Sequence, residues 1–434
     1  MNWQEEYWSK LQSAQKAVKI VCDGDVVHIG TASSVASVLG EALYERKDEL
    51  HDVTISSAVN MWMLPFYTDE EGSPFKVLTY FEGPAEREAM RRNNCRYTSL
   101  HLSAVEEWCS MFLKGGVAFL EVSPPDKYGF MCYGAYGVSM HEFVRRSCSR
   151  VVVQVNRKVP YVYGMNNLIH VSQVDAIVEA DHEIAQVEDL KHDDKTKAIS
   201  QFIVDQIPDG ATIQLGLGSL SGAIGFGLEG KNDLGIHSEM MTNSMMHLMK
   251  KGIITNKRKN FFPGKAVAAF ALGTNELYEF VNHNPAMYFD CYSFVNNPYN
   301  IAKNDNFISV NSAMAIDLYG QVAADNLGGV QQSATGGQVD FVRGAQMSKG
   351  GKSFIALPST IEKKGKIQSR IMSSLPEGTA VTTGRQDVQF VVTERGCINL
   401  KPLTAAERAM ALIELAAPQF REQLTEDAKR LHIL

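Results

Sequence analysis

Short apolar runs alternate with helical patterns along most of the chain. β-Branched residues are frequent in the apolar runs, which favour strands at 26–29, 53–56, 117–122, 151–155, 213–215, 234–237, 267–272, 354–357, 380–383 and 388–392. Apolar residues at helical spacing favour helices at 3–21, 33–49, 194–207, 220–228, 240–250 and 404–415. Near-continuous apolar strands separated by helices are typical of parallel sheets covered on both faces. We therefore predict an α/β fold with mainly parallel sheets.

The chain also repeats itself. DGATIQLGLGS at 209–219 echoes DGDVVHIGTAS at 23–33, at an offset of 209 − 23 = 186. DLGIHSE at 233–239 then echoes DVTISSA at 52–58, and Glu239 stands where the first copy has Ala58. Two later echoes, 126–129 with 317–320 and 142–145 with 340–343, keep the same order. Four echoes in one order indicate an internal duplication.

The duplication predicts two similar open α/β domains, at 1–190 and 191–434. The charged stretch 181–197 is the expected seam between them. We expect the active site at their interface. Only the second copy carries a carboxylate at the position of Glu239, where the first copy has Ala58, so the N-terminal half should mainly wall the acid-binding pocket.

Composition narrows the function classes. The net charge of −7 over 434 residues provides no basic face for nucleic acid or an anionic membrane. Seven scattered cysteines without a Cys-x-x-Cys pair argue against a disulfide framework and structural zinc, and they favour a reducing cytoplasm. No apolar run approaches the roughly 18 residues needed to span a membrane, and we see no signal peptide.

The first candidate for chemistry is the loop at 216–222. Gly216, Gly218 and Gly222 follow a predicted strand and open a predicted helix, where backbone amides can approach an anion. The same loop can be a tight turn without a ligand.

Glu239 lies 23 positions after Gly216, so a nicotinamide-binding Rossmann interpretation stays open despite the irregular glycine spacing. Glu239 can also be a solvated helix-start residue, or a nucleophile towards an activated acyl group.

A second glycine element and two groups of lysines follow. Gly336 and Gly337 can offer amides to an oxyanion, or simply form a turn. Lys352 and the run 363–366 are candidate phosphate ligands, although such charge runs are usually solvated. Methionines crowd the segment after Glu239, and core packing is the favoured explanation. His237 shares a strand face with Glu239 if the strand continues that far. We expect no metal site.

At these motifs the sequence resembles the acetyl-CoA hydrolase/transferase family of class I coenzyme A transferases. The resemblance spans nearly the whole chain and rests on QLGLG at 214–218, LGIHSEM at 234–240, ATGGQVDFVR at 334–343 and GGKSFIALPST at 350–360. Within the family, the 4-hydroxybutyrate and butyryl-CoA:acetate CoA-transferases are the most similar groups.

The resemblance implies a role for each matching position. Glu239 would be the catalytic residue that forms a glutamyl-CoA thioester. The implied coenzyme A contacts are Gln214, Leu215, Gly216, Leu217, Gly218, Met314, Gly336, Gly337 and Lys364, with Lys364 near the nucleotide end. Coenzyme A and its acyl thioesters would be substrates, together with a short-chain carboxylate, and no cofactor would be held permanently. Relatives suggest a homodimer or larger homo-oligomer.

Three alternatives to a transferase remain at this point. An acyl-CoA hydrolase on the same scaffold would use water in place of the second acid. A nicotinamide-dependent dehydrogenase would use the Gly216 loop for its cofactor. A non-catalytic regulator would bind coenzyme A without using Glu239.

Overall fold

The chain packs as two units. The computed structural model describes residues 2–216 and 218–434, so Met1 and Leu217 lie outside the described residues. Unit 1 comprises residues up to Glu188 together with 267–294, and unit 2 comprises 189–266 together with 295–434. The domain limits expected from the sequence, 1–190 and 191–434, stay a prediction.

The helices are mostly short. They are α1 (Trp3–Lys10), α2 (Ala14–Ala17), α3 (Ser37–Tyr44), α4 (Pro84–Arg91), α5 (Val105–Phe112), α6 (Gly134–Gly137), α7 (His141–Ser147), α8 (Asp194–Val204), α9 (Ser219–Gly227), α10 (Asn243–Lys250), α11 (Asn275–Val281), α12 (Tyr292–Val295), α13 (Pro298–Ile301), α14 (Gln338–Met347), α15 (Ala405–Leu415) and α16 (Pro418–Arg430).

Strands precede or follow nearly every helix. They are β1 (Val26–Thr31), β2 (Val53–Ala58), β3 (Phe75–Thr79), β4 (Cys95–Tyr97), β5 (Val117–Val122), β6 (Phe130–Cys132), β7 (Arg150–Val155), β8 (Leu168–His170), β9 (Ala176–Glu179), β10 (Thr212–Leu215), β11 (Gly235–Met241), β12 (Ala266–Ala271), β13 (Met287–Phe289), β14 (Phe307–Ser312), β15 (Ala315–Asp317), β16 (Val322–Ala323), β17 (Asn326–Leu327), β18 (Val330–Gln331), β19 (Lys352–Ala356), β20 (Thr360–Lys363), β21 (Lys366–Ser369), β22 (Ile371–Met372), β23 (Phe390–Thr393) and β24 (Gly396–Asn399).

Each unit is built on one main sheet, and the order β11-β10-β14-β19-β23 in unit 2 repeats the order β2-β1-β5-β7-β9 in unit 1. In unit 1 the order is β4-β3-β2-β1-β5-β7-β9, with all neighbours parallel. In unit 2 the strands run β11-β10-β14-β19-β23-β24, and only the β23–β24 pair is antiparallel. The predicted fold class, α/β with two similar, mainly parallel domains, is confirmed.

The hydrogen-bond register repeats as well. Val26 pairs with Thr54 in unit 1, and Thr212 pairs with Gly235 in unit 2. The differences are 212 − 26 = 186 and 235 − 54 = 181, the same offsets as in the two first sequence echoes. Register decides which side chains face the core, so the two halves repeat their packing as well as their chain path.

The core of each unit lies under its sheet. In unit 1, buried residues such as Val27, Ile55 and Phe119 form one cluster with the covering helices. In unit 2, Ile355, Val391 and Leu412 belong to a corresponding cluster. No helix in the described part of the chain is long and apolar enough to cross a membrane.

Four element predictions need correction. Residues 380–383 form no strand and contribute only a single bridge at Thr383. The predicted helix 3–21 is broken after Lys10, because the Gln12 amide donates to the Ile177 carbonyl of β9. The helix expected at 33–49 spans only Ser37–Tyr44. The helix expected at 240–250 begins at Asn243, because β11 continues through Met241.

Candidate functional site

In unit 2 the strand order reverses between β10 and β14. The crevice beyond the carboxyl ends of two such strands is the usual ligand site of an open parallel sheet. The glycine loop follows β10, and Met314 follows β14. The topology therefore brings two of the sequence-predicted segments to one edge of the sheet.

The glycine loop joins β10 to α9 as predicted. Gly218 is the residue before α9 and has φ 117° and ψ 177°, a conformation that a side chain would strain. Gly216 has no such restriction, and a Cβ built on it would meet nothing closer than 3.9 Å. Leu217, a predicted coenzyme A contact, lies outside the described residues. The open amides at the start of α9 suit an anionic group.

The two β10 residues before the loop are buried. Gln214 lies beside β14, where its Oε1 accepts from Asn311 Nδ2 at 3.4 Å. The Leu215 carbonyl accepts from Ser238 Oγ at 3.3 Å, which links β10 to the residue before Glu239. The Gln214 side chain thus links β10 to β14, and the Leu215 carbonyl links β10 to β11.

Glu239 stands near the end of β11, and its carboxylate has two directed donors. Asn296 Nδ2 donates to Glu239 Oε2 at 2.6 Å, and the Gly337 amide also donates to this carboxylate. Protein atoms surround the Glu239 carboxylate closely, although the residue as a whole is partly exposed to solvent. Desolvation by burial raises the pKa of Glu239 to about 7, against the lowering effect of Asn296 and Gly337. The negative charge of Asp340 also contributes to this raised pKa.

Position 337 requires glycine because a side chain has no room there, and not because of the backbone angle. A Cβ at this position would overlap both Glu239 Oε2 and Asn296 Nδ2. Its neighbour Gly336 has φ 59°, the left-handed region that favours glycine. Helix α14 begins directly afterwards, so the Gly336–Gly337 pair turns the chain and brings an amide to the carboxylate.

Met314 and Lys364 take no part in the hydrogen bonds around Glu239 among the described residues. Met314 is partly buried, and its amide donates to the Ala323 carbonyl at 2.8 Å. Lys364 is exposed at the turn of the hairpin β20–β21, with φ 53°. Lys363 and Lys366 pair directly across that hairpin, so three lysines lie at its tip.

Lys352, the other candidate phosphate ligand, is engaged elsewhere. Its Nζ donates to the carbonyl and to the Oε1 of Gln206, each at 3.1 Å. The side chain therefore ties β19 to the segment before β10. No group of three or more potential metal ligands occurs in the described part of the chain.

Sequence reasoning missed Asn296 as a partner of Glu239. Asn296 lies 57 positions from Glu239 in a segment without periodicity, directly after α12. An Asn-Asn-Pro sequence at 296–298 was its only local signal, and that pattern is typical of any turn. Asp340 lies in the echo at 340–343 and in the ATGGQVDFVR motif, and neither pattern indicates its effect on Glu239.

Comparison with known proteins identifies the family. The N-terminal domain model of acetyl-CoA hydrolase/transferase matches residues 1–188, and the C-terminal domain model matches residues 273–428. The chain belongs to the acetyl-CoA hydrolase/transferase family. The resemblance seen in the sequence is confirmed, and so is the expectation of an enzyme of the transferase kind.

Three similar proteins each cover the chain fully or almost fully. A 4-hydroxybutyrate coenzyme A transferase of Clostridium kluyveri is 41% identical over 99% of this chain and 100% of its own. A butyryl-CoA:acetate CoA-transferase of Anaerostipes caccae is 36% identical over 100% and 99%. The crystal structure of RipA from Yersinia pestis superposes with a TM-score of 0.93 at 34% identity, with both chains fully covered.

Proposed function

We propose that this family member transfers coenzyme A between a short-chain acyl-CoA and a carboxylate such as acetate, through a covalent thioester on Glu239. The observation that carries the proposal is the Glu239 carboxylate itself, desolvated yet held by the Asn296 amide and the Gly337 N–H. A carboxylate with a pKa near 7 is ionised enough to attack and is poorly stabilised by water. Both properties suit a nucleophile.

The proposed reaction conserves every atom without an external acid or base. A Glu239 oxygen attacks the thioester carbonyl, forms an acyl-glutamyl anhydride and expels coenzyme A as its thiolate. The thiolate then attacks the glutamyl carbonyl, which yields glutamyl-CoA and releases the first acid as a carboxylate. A second carboxylate reverses these two steps, forming its own acyl-CoA and restoring Glu239. Such a sequence predicts ping-pong kinetics.

The donors around Glu239 also suit the negative oxygens that develop in these steps. The Asn296 amide and the Gly337 N–H already point at a carboxylate oxygen, and no rearrangement is needed for them to meet an oxyanion on the glutamyl carbon. We assign Asn296 to this role together with Gly337, which the sequence had suggested.

We further propose that the loop 214–218, Met314 and the Gly336–Gly337 pair contact coenzyme A, with Lys364 near its nucleotide end. The strand-order reversal at β10 and β14 and the free amides at the start of α9 support the assignments of the loop and of Met314. The cluster of three lysines at the hairpin tip supports the assignment of Lys364. Binding energy gained there can help drive the strained steps at Glu239.

The preferred acids are proposed to be 4-hydroxybutyrate or butyrate, because similar relatives carry those names. Initial rates with a panel of acyl-CoA donors and of acids, including acetate, propionate and succinate, would rank them. Loss of acyl-CoA at full rate without any acid would instead favour the hydrolase alternative. A homodimer or larger assembly is also proposed, and light scattering of the purified protein would measure it.

The decisive experiment is reduction with borohydride after incubation with acyl-CoA. A glutamyl thioester is reduced to an alcohol, so activity is lost and the mass of the peptide containing Glu239 changes. Omission of acyl-CoA, and the Glu239→Gln variant, provide the controls. Full activity of Glu239→Ala, with no acyl-CoA-dependent mass change, would contradict the mechanism.

A further inference from the structure

His237 is buried completely and bonds to the backbone beside Asn296. It precedes Glu239 by two residues on β11, so both side chains leave the same face of the strand. His237 Nε2 lies 2.8 Å from the Val295 carbonyl oxygen. A carbonyl oxygen only accepts, so Nε2 carries the proton. Val295 is the residue next to Asn296, whose amide donates to Glu239.

The opposite ring nitrogen also has a directed partner. Asn304 Nδ2 lies 3.5 Å from His237 Nδ1. Asn304 Oδ1 accepts from the Phe261 amide at 3.2 Å, and this bond orients the Asn304 side chain so that its NH₂ group faces the imidazole. The aromatic rings of Phe261, Phe307 and Phe341 pack around the imidazole. The ring is therefore fixed in one orientation and one tautomer.

Burial keeps His237 neutral. Together with the smaller effects of the positive charges of Lys259 and Lys303, and against the effect of the Val295 bond, it lowers the pKa of His237 to about 3. Lys259 is itself buried, and its Nζ donates to the Ile236 and Lys265 carbonyls, each at 2.7 Å. The bond from His237 to Val295 therefore persists unchanged across the range in which Glu239 titrates.

We propose that His237 is a positioning residue, whose Nε2–H holds the Val295 carbonyl and thereby sets the Asn296 amide against the Glu239 carboxylate. His237 touches neither substrate nor Glu239. Its effect passes through one backbone carbonyl to the next residue. Only the rate measurements below rest on the proposed function, because the ionisation of Glu239 can be measured without turnover.

The proposal predicts a change in the pKa of Glu239. Asn296 lowers this pKa, so a misplaced Asn296 amide lets it rise. His237→Phe keeps a flat ring among aromatic neighbours but has no donor. We expect the pKa of Glu239 to rise by about one unit, which corresponds to roughly a tenfold weaker preference for the ionised form. His237→Gln places an amide N–H near the former Nε2 and should restore most of the original value.

The measurement is the pH dependence of Glu239 labelling by a water-soluble carbodiimide, which reacts with the protonated carboxyl, followed by mass spectrometry. Wild type, His237→Phe, His237→Gln, Asn296→Ala and the double variant His237→Phe/Asn296→Ala are compared. If His237 acts through Asn296, the double variant titrates like Asn296→Ala alone. Phe307→Leu disturbs the same aromatic packing without touching the Val295 bond, so it serves as the matched control.

Three results would overturn the proposal. They are an unchanged Glu239 titration in a folded His237→Phe protein, shifts that add in the double variant, and an equal shift in Phe307→Leu. If His237→Phe does not fold, His237→Met, which also lacks a donor at this position, replaces it in the series and in the double variant, and the same three results apply. CoA transfer assayed in parallel should fall about fivefold in kcat at pH 7 for His237→Phe, the loss of the ionised fraction that a one-unit rise from a pKa of about 7 causes, with KM little changed. A Glu239 shift without any CoA transfer in wild type would refute the proposed function and leave the positioning role intact.

Discussion

Two opposing effects act on the Glu239 carboxylate. Desolvation penalises its charge, while the Asn296 amide and the Gly337 N–H stabilise it, and the pKa of about 7 shows that desolvation is the larger effect. The rise from the ordinary value of 4.5 amounts to about 3 kcal/mol of destabilisation of the ionised form at neutral pH. Such a cost in folding stability is common where a nucleophile must be kept reactive.

The first prediction concerns stability against pH. A carboxyl whose pKa is raised on folding binds more protons in the folded state between about pH 4.5 and 7, so stability falls as the pH rises through that window. Glu239→Gln removes this loss. We expect the free energy of unfolding of the variant, relative to wild type, to grow by about 3 kcal/mol from pH 4 to pH 8. Denaturant titrations at several pH values measure it, and a pH-independent difference would contradict the raised pKa.

The second prediction concerns Gly337. Gly337→Ala places a methyl group where Glu239 Oε2 and Asn296 Nδ2 now meet, so the carboxylate has to move or lose its donor. We expect CoA transfer to fall by roughly a hundredfold, the usual effect of losing an oxyanion donor. Gly230→Ala is the matched control, because a Cβ there meets nothing within 4 Å. Equal activity of the two variants would argue against the tight contact.

The residues of the site were only partly predictable from the sequence. Glu239 lies at the end of a predicted strand, and Gly337 lies in a turn before a helix. Local sequence is enough to predict both features. Asn296 is joined to Glu239 only through the tertiary fold, and no local pattern reveals that contact. His237 was noticed for its position on the strand, but its bond to Val295 required the structure.

At the level of elements, apolar runs identified most buried strands, including β5 at its observed limits. The central strand β14 was missed, because serine and asparagine interrupt its apolar residues. The helix predicted at 3–21 is broken, because pairing of Gln12 with β9 overrides the helical pattern. Helix α10 begins at Asn243 because Thr242 caps it by accepting from the Met245 amide, a signal the methionine run obscured. Tertiary pairing and capping thus determine where these helices begin and end, which hydrophobic periodicity alone does not predict.

The third prediction tests the element that joins β10 to α9. Gly218→Ala puts a side chain at φ 117°, so the start of α9 must rearrange, whereas Gly230→Ala, beyond the end of α9, meets nothing within 4 Å. If the α9 amides bind coenzyme A, Gly218→Ala should weaken coenzyme A binding by about tenfold or more, with little change for Gly230→Ala. Titration calorimetry with coenzyme A provides both dissociation constants. Unaltered binding in a folded Gly218→Ala protein would remove this loop from the site.

At the scale of the whole molecule, the repeated register allows the two halves to be compared position by position. Ala58 stands where unit 2 has Glu239, and Ser139 stands where unit 2 has Gly337 (337 − 139 = 198, the offset of the last echo). Unit 1 therefore lacks both the carboxylate and the residue without a side chain that makes room for it. The duplicated scaffold keeps its strand order, and only one copy has the chemistry of the proposed thioester.

The fourth prediction follows from this asymmetry. Ala58→Glu in a Glu239→Ala background should not restore CoA transfer or acyl-CoA-dependent labelling by borohydride. Position 58 is fully buried, so the new carboxylate should also destabilise unit 1, by about 2 kcal/mol or more. Ala58→Ser, in the same background, controls for the change in volume. Recovery of a labelled thioester at residue 58 would show that the two halves are chemically interchangeable.

The hairpin β20–β21 has a consequence for proteolysis. Lys363, Lys364 and Lys366 lie at or beside an exposed two-residue turn, in a two-stranded sheet that is isolated from the main sheet. Trypsin cleaves after lysine and needs a segment that can open locally, and short exposed hairpins open readily. We expect the first tryptic cuts of the native protein at this tip, and we expect saturating coenzyme A to slow them if Lys364 meets its nucleotide end. Mass spectrometry of the digest over time gives the cutting rates with and without coenzyme A. Equal rates would place the nucleotide elsewhere, so the digestion shows where the ligand covers the protein.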